Sequence, residues 1–259
     1  MKKPATILLI VSFLSINSIV FAAPLPWFYE LRTYRFKTSD QEVRTEKYLQ
    51  TALLPALHRA DIKTIGVFKP VETDSTFGKT LIVLIPFRSL TEFEKLEAKL
   101  AYDKRYNADG KEYIDAAYDN PPYERIEKTL LRAFSEMPQI GVPELKTPVT
   151  ERIYELRSYE GHTEKIHRNK VQMFNGGGEV GLFKRLGFNA VFYGEVVSGS
   201  TMPNLMYLTT FENQASRDEH WKAFSNDPQW KTLSAMPEYQ HNVSKNVTRF
   251  FRPTSYSDL

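Results

Sequence analysis

Hydrophobic and polar positions alternate over residues 28–36 and again over 152–159, the pattern of strands whose successive side chains point to opposite faces. A helical stretch follows each, 41–59 in one case and 163–185 in the other, the latter broken near Gly176. Two apolar runs then read as strands, 64–72 and 80–87, answered by 188–197 and 205–211. A second helix, 90–102 or 214–224, and a closing strand, 125–134 or 242–252, complete each half. Strand, helix, strand, strand, helix, strand, written twice, predicts an α+β protein of tandem ferredoxin-like domains, each an antiparallel sheet with helices on one face. The other face of each sheet then needs cover. Two such sheets in one chain can supply it mutually, facing each other in a barrel-like sandwich with the helices outside.

The wording of the sequence repeats along with the pattern. Tyr29-Glu30-Leu31-Arg32-Thr33-Tyr34 returns as Tyr154-Glu155-Leu156-Arg157-Ser158-Tyr159, and Thr45-Glu46-Lys47 as Thr163-Glu164-Lys165. Between the halves, Pro138, Gly141, Pro143 and Pro148 make a stretch in which neither helix nor strand can run. The expected organisation is a signal peptide over 1–22, a first repeat over 24–138, a linker over 139–150 and a second repeat over 151–255.

Composition changes the picture at the N-terminus. Lys2 and Lys3 precede an apolar run interrupted by Ser12, Ser15, Asn17 and Ser18, and Val20-Phe21-Ala22 offers a cleavage site. The run is too polar for a retained anchor, so the expectation is an exported protein, periplasmic or secreted, without a stable membrane anchor. Setting aside those two lysines reduces the 34 Lys and Arg to 32, against 31 Asp and Glu, a balance that argues against a nucleic-acid partner. Cysteine is absent, which removes thiolate catalysis, disulfides and Cys-held metal centres.

The two openings, together with Arg217-Asp218-Glu219-His220-Trp221-Lys222-Ala223-Phe224 running into Asp227-Pro228-Gln229-Trp230, resemble the NIPSNAP family. The resemblance spans both halves and is stronger in the second, because the first lacks the Trp221 and Asp227-Pro228-Gln229-Trp230 cluster. It implies the dimeric α/β-barrel superfamily, which also holds small monooxygenases and haem-binding enzymes, and it makes Arg217, Trp221, Asp227, Pro228 and Trp230 structural residues of the family motif. It implies no agreed reaction; fold-level analogy alone does not supply one.

On the opening strands Glu30, Arg32 and Tyr34 share one face, and Glu155, Arg157 and Tyr159 the corresponding one. If the apolar sets pack on the helices, these polar sets look into the space between the sheets, where, with His241, they are ligand-binding candidates. The plainer alternative is that Glu and Arg on one strand face neutralise each other. Gly176, Gly178 and Gly181 spell a G-x-G-x-x-G, but after a helical stretch rather than a strand, so they read as a helix break. Among the five histidines, His167 stands three residues after Glu164, the spacing of a di-iron ligand pair, but no partner pair is evident and no H-E-x-x-H pattern occurs, so no metal or cofactor is expected. The expected function is binding of a small ligand or protein partner without catalysis. The alternatives are a cofactor-independent monooxygenase- or isomerase-like enzyme acting on a small apolar or aromatic substrate in the barrel, and a haem-binding protein. Unpaired sheet edges make a homo-oligomer possible.

Overall fold

The computed structural model describes residues 24–259, so the expected signal peptide lies outside the described residues. The eight strands are β1 (Phe28–Arg35), β2 (Gly66–Pro70), β3 (Thr80–Phe87), β4 (Arg125–Ala133), β5 (Ile153–Glu160), β6 (Ala190–Ser198), β7 (Asn204–Phe211) and β8 (Lys245–Pro253). They form one closed antiparallel barrel in the order β1-β3-β2-β8-β5-β7-β6-β4. Each half contributes four strands, and the halves join where β2 pairs with β8 and β4 pairs with β6. The two junctions match each other, since β2 and β6, like β4 and β8, hold equivalent places in their halves. Closure removes the sheet edges on which the expectation of an oligomer rested.

Outside the barrel, the first half carries α1 (Ser39–Tyr48), which continues through a π-helical turn (Leu49–Leu53) into α2 (Leu54–Arg59), then α3 (Leu90–Tyr102), α4 (Lys104–Asp109) and α5 (Lys111–Ile114). The second half carries α6 (Glu164–Phe174), α7 (Glu179–Arg185), α8 (Gln214–Asn226) and α9 (Pro228–Ala235). The break in the second half's first helix falls where expected, with Gly178 at φ 86° ahead of α7, a conformation that suits glycine. Helices α3 and α8 have the same length, thirteen residues, and the same signals. Ser89 and Asn213 accept the amides of Glu92 and Ser216 at the start, and Asp103 and Asp227 end one helix while capping the next. Pro228 sits in the first turn of α9, where its missing N–H costs nothing.

Three apolar clusters divide the interior. One packs Tyr34, Leu81, Val83, Ile85 and Phe87 against the helices of the first half, and a second packs Tyr193, Leu205, Tyr207 and Phe211 against those of the other half. The third fills the barrel itself with Tyr29, Leu31, Phe68, Tyr154, Leu156, Phe192 and Phe251. Rings meet across this lumen, Tyr29 on Phe192 at 5.2 Å and Phe68 on Tyr154 at 5.0 Å.

This reverses the expected orientation of the opening strands. Tyr29 and Leu31, with Tyr154 and Leu156, point into the barrel, while the Glu, Arg and Tyr sets face the helices. The physical reason is that a closed small barrel shuts its inner surface away from water and has to fill it with side chains. The helix-facing surface can hold charge, because neighbouring strand and helix side chains, Arg32 and Lys128 beside Glu30 and Arg157 and Arg217 beside Glu155, bring counter-charges to it.

Candidate functional site

On the helix face of the second half, Glu155 is fully buried and fully engaged. Arg157 Nε donates to its Oε1 at 2.6 Å, Arg217 Nε to its Oε2 at 2.8 Å and Nη2 to its Oε1 at 3.1 Å, and the Trp221 indole N–H to its Oε2 at 2.8 Å. The Arg157 guanidinium lies over the Trp221 ring, 3.7 Å from its centre. Its Nη1 donates to the Tyr159 hydroxyl, which pairs with Tyr207 at 2.8 Å. Burial pushes the Glu155 carboxyl up, but the hydrogen bond from Arg217 and the charge of Arg157 together outweigh it, so it stays below the usual carboxylate range. The space above this strand is therefore closed by the protein's own Arg217 and Trp221.

The same strand positions in the first half are arranged alike up to a point. Glu30 is buried and Arg32 Nε donates to its Oε1 at 2.7 Å. Lys128, opposite Arg32 on β4, approaches Oε1 to 3.7 Å and reaches Glu97 at 3.6 Å. Glu30 Oε2 has no hydrogen-bond partner among the described residues. Glu30 also lines a cavity of about 330 Å³ between the sheet and the helices, together with Arg32, Phe93, Leu96, Glu97 and Lys128, and Tyr48 and Tyr106 form part of its wall. The two tyrosine hydroxyls pair at 2.8 Å, and Tyr113 stacks on Tyr48 at 3.6 Å, which stiffens that wall. Burial raises the Tyr48 and Tyr106 hydroxyls above their ordinary value, so both stay protonated donors at neutral pH.

The cavity's size decides between it and the barrel. A pocket of about 140 Å³ at one end of the lumen, beside Thr33, Ser158 and Arg249, has room for a few waters at ~30 Å³ each. Small-molecule sites run from ~300 Å³ upward, a range the first-half cavity enters. A third hollow, about 300 Å³ beside Phe183, Lys184 and Tyr193, has no buried unpaired polar group among its described lining residues.

Of the residues singled out in the sequence, Glu30 and Arg32 line the cavity and Tyr34 lies buried beside it in the first-half core. Glu155, Arg157, Tyr159, Arg217 and Trp221 come together in the second half. Asp227 caps α9 and holds Arg185 at 2.9 Å, Pro228 opens that helix, and Trp230 packs on Phe224 at 4.5 Å. His241 lies in an exposed turn before β8 at φ 55° and is not brought to either cluster. Among the described residues no histidine lines the first-half cavity, so these offer a haem iron no imidazole there.

Sequence reading missed Lys128, Phe93, Glu97, Tyr48 and Tyr106. The usable signal was the alignment of α3 with α8 by their caps, which sets Phe93 against Arg217 and Glu97 against Trp221. The buried pair Lys170 and Glu179, 3.0 Å apart, was missed as well; burial raises the Glu179 carboxyl and Lys170 only partly offsets it.

Comparison with known proteins agrees with this architecture. A monooxygenase candidate from Lactobacillus acidophilus superposes with a TM-score of 0.59 at 9% identity over 88% of this chain and 94% of its own. A second, from Fusobacterium nucleatum, gives 0.56 at 6% identity over 88% and 93%, and an anthrone oxidase-like protein gives 0.52 at 10% over 90% and 94%. At such identities the likeness is one of fold. No curated protein matches the sequence. The NIPSNAP family model matches from Tyr154 to Asp258, leaving the first half outside the match. Residues 154–258 thus match the NIPSNAP family model and form the second half of a closed, eight-stranded antiparallel barrel.

Proposed function

We propose that the protein binds a small molecule in the helix–sheet cavity of its first half, with the NIPSNAP half serving as a closed structural copy. One observation carries this reading: Glu30, which lines a cavity of ligand size, keeps one carboxylate oxygen, Oε2, buried and without a partner among the described residues. Leaving one buried acceptor oxygen without a hydrogen bond costs ~1–3 kcal/mol, and a ligand donor recovers that energy on binding. The test is a thermal-shift screen of the mature chain against a metabolite library, repeated with Glu30→Gln. A saturable hit weakened by the substitution is the expected result. Hits indifferent to Glu30→Gln, or none at all, would overturn the reading.

The names of the fold neighbours invite a second reading, a cofactor-independent oxygenase or isomerase. Glu30 favours it to the extent that a carboxylate beside a bound substrate can accept a proton. Oxygen uptake or product formation with a hit from the screen, abolished in Glu30→Gln, would establish it, and an unchanged ligand would dismiss it.

Export completes the proposal. It rests on Lys2, Lys3, the apolar run and the Ala22 site, and N-terminal sequencing of protein from the cell envelope should begin at Ala23. An intact Met1 would refute it.

A further inference from the structure

The two halves show one site in two conditions. In the second half Glu155 meets a guanidinium from Arg217 and an indole N–H from Trp221, both from α8, and the indole ring rests on Arg157. In the first half the strand keeps Glu30 and Arg32, but the matching helix positions hold Phe93 and Glu97. The remaining contacts thin out in the same way. Phe250, which lies against the Arg217 guanidinium at 5.2 Å, is answered by Leu130, and Tyr207, which holds the Tyr159 hydroxyl, by Val83. The oxygen that Arg217 and Trp221 satisfy in one half is the oxygen without a partner in the other.

We infer that the first-half site takes a cationic aromatic ligand, a flat ring bearing an ammonium, amidinium or guanidinium group, which supplies what Arg217 and Trp221 supply in the second half. This deepens the proposed function and rests on it. The cation donates to Glu30 Oε2, a charge-assisted bond of the stronger kind. The ring lies against the Arg32 guanidinium, as Trp221 does against Arg157, between the apolar walls of Phe93, Leu96 and Tyr48. Charge at the site agrees. Glu30, Glu94 and Glu97 outnumber Arg32 and Lys128 among the lining residues, and Lys128 approaches Oε1 rather than Oε2, so an added cation is welcome where an anion is not.

The probes are three indoles of like size and different charge, tryptamine, tryptophol and indole-3-acetate, titrated calorimetrically into the mature full chain. Tryptamine is expected to bind saturably, tryptophol about tenfold or more weakly, consistent with the worth of a hydrogen bond to a charged group, and indole-3-acetate weaker still. Glu30→Gln should weaken tryptamine by a similar factor. The double substitution Phe93→Arg, Glu97→Trp should abolish binding by rebuilding the second-half arrangement, and the single Glu97→Trp, on an exposed position, does part of the same with little risk to folding. Equal binding of all three indoles, still lost in Glu97→Trp, would overturn the ligand class and leave the site standing. Tryptamine binding that survives Glu30→Gln and Glu97→Trp would overturn both. No tryptamine binding, with a Glu30-dependent hit of another charge from the library screen, would overturn this inference alone.

Discussion

The Trp221 indole N–H donates to Glu155 Oε2 at 2.8 Å while Arg217 Nε shares the same oxygen at the same distance. A helix two strands away in sequence thus closes the strand's buried charge, and Arg217 and Trp221 act as an internal counter-charge with an aromatic lid. Arg217→Ala leaves Glu155 with one guanidinium in place of two and opens a hole above it. Removing one partner of a buried ion pair costs ~3–5 kcal/mol, and retention of Arg157 places the expected loss toward the lower end. Urea denaturation of Arg217→Ala checks this; a loss within the noise of a surface substitution would show that the pair is not held in solution.

The same carboxylate sets an acid limb. Because its folded pKa is depressed, the stability Glu155 contributes is complete above the unfolded value of ~4.3 and is lost as pH falls through the folded one. Glu195 acts in the same direction. The His167 ring 3.5 Å away, with Arg132 assisting, holds its carboxyl down to about 2 against the effect of burial. Stability should therefore fall from about pH 4.5 downward, and the gap between the wild type and Glu155→Gln, wide at pH 7, should narrow at pH 3. A gap of equal size at both pH values would contradict the assignment.

Inside the barrel, the Tyr29 hydroxyl is buried without a partner among the described residues, and burial raises it well above the ordinary phenol value. Tyr29→Phe removes that cost and keeps the ring contact with Phe192. It should leave stability unchanged or raise it by ~1 kcal/mol. Tyr159→Phe, which loses the bonds to Tyr207 and Arg157, should lower it by a similar amount. Thermal melting of the two variants side by side reads the contrast; equal losses would mean that Tyr29 has a partner in solution.

These contrasts explain what could be read in the chain and what could not. The duplicated Tyr-Glu-Leu-Arg opening, the cap at Asp227 and the break at Gly178 are local, and local physics shows in local sequence. The facing of β1 was not legible because Tyr29 and Tyr34, on opposite faces, are both wholly buried; alternation marks a dry side only when the other side is wet. Lys128 joins the cavity through its register opposite Arg32, a pairing that the residues around it do not announce. His241 drew notice by residue type alone, and the turn that holds it points to no site.

The reciprocal junctions of the barrel carry the last prediction. Within the chain β4 pairs with β6 and β2 with β8, through four and three residue pairs. These ladders are short, so the larger force joining the halves is the apolar inner surface, Tyr154, Leu156, Phe192 and Phe251 on one side against Tyr29, Leu31 and Phe68 on the other. A fragment of residues 151–259 would expose that surface and two strand edges, β6 and β8. Those edges hold the places that the first half's β2 and β4 hold, so the β6 of one copy can pair with the β8 of another and the reverse, closing a two-fold barrel. The fragment is expected to elute as a homodimer in light-scattering chromatography and to dissociate when Leu156→Arg puts a charge on the inner surface. A folded, soluble monomer would show that the second half can cover this face without a partner sheet.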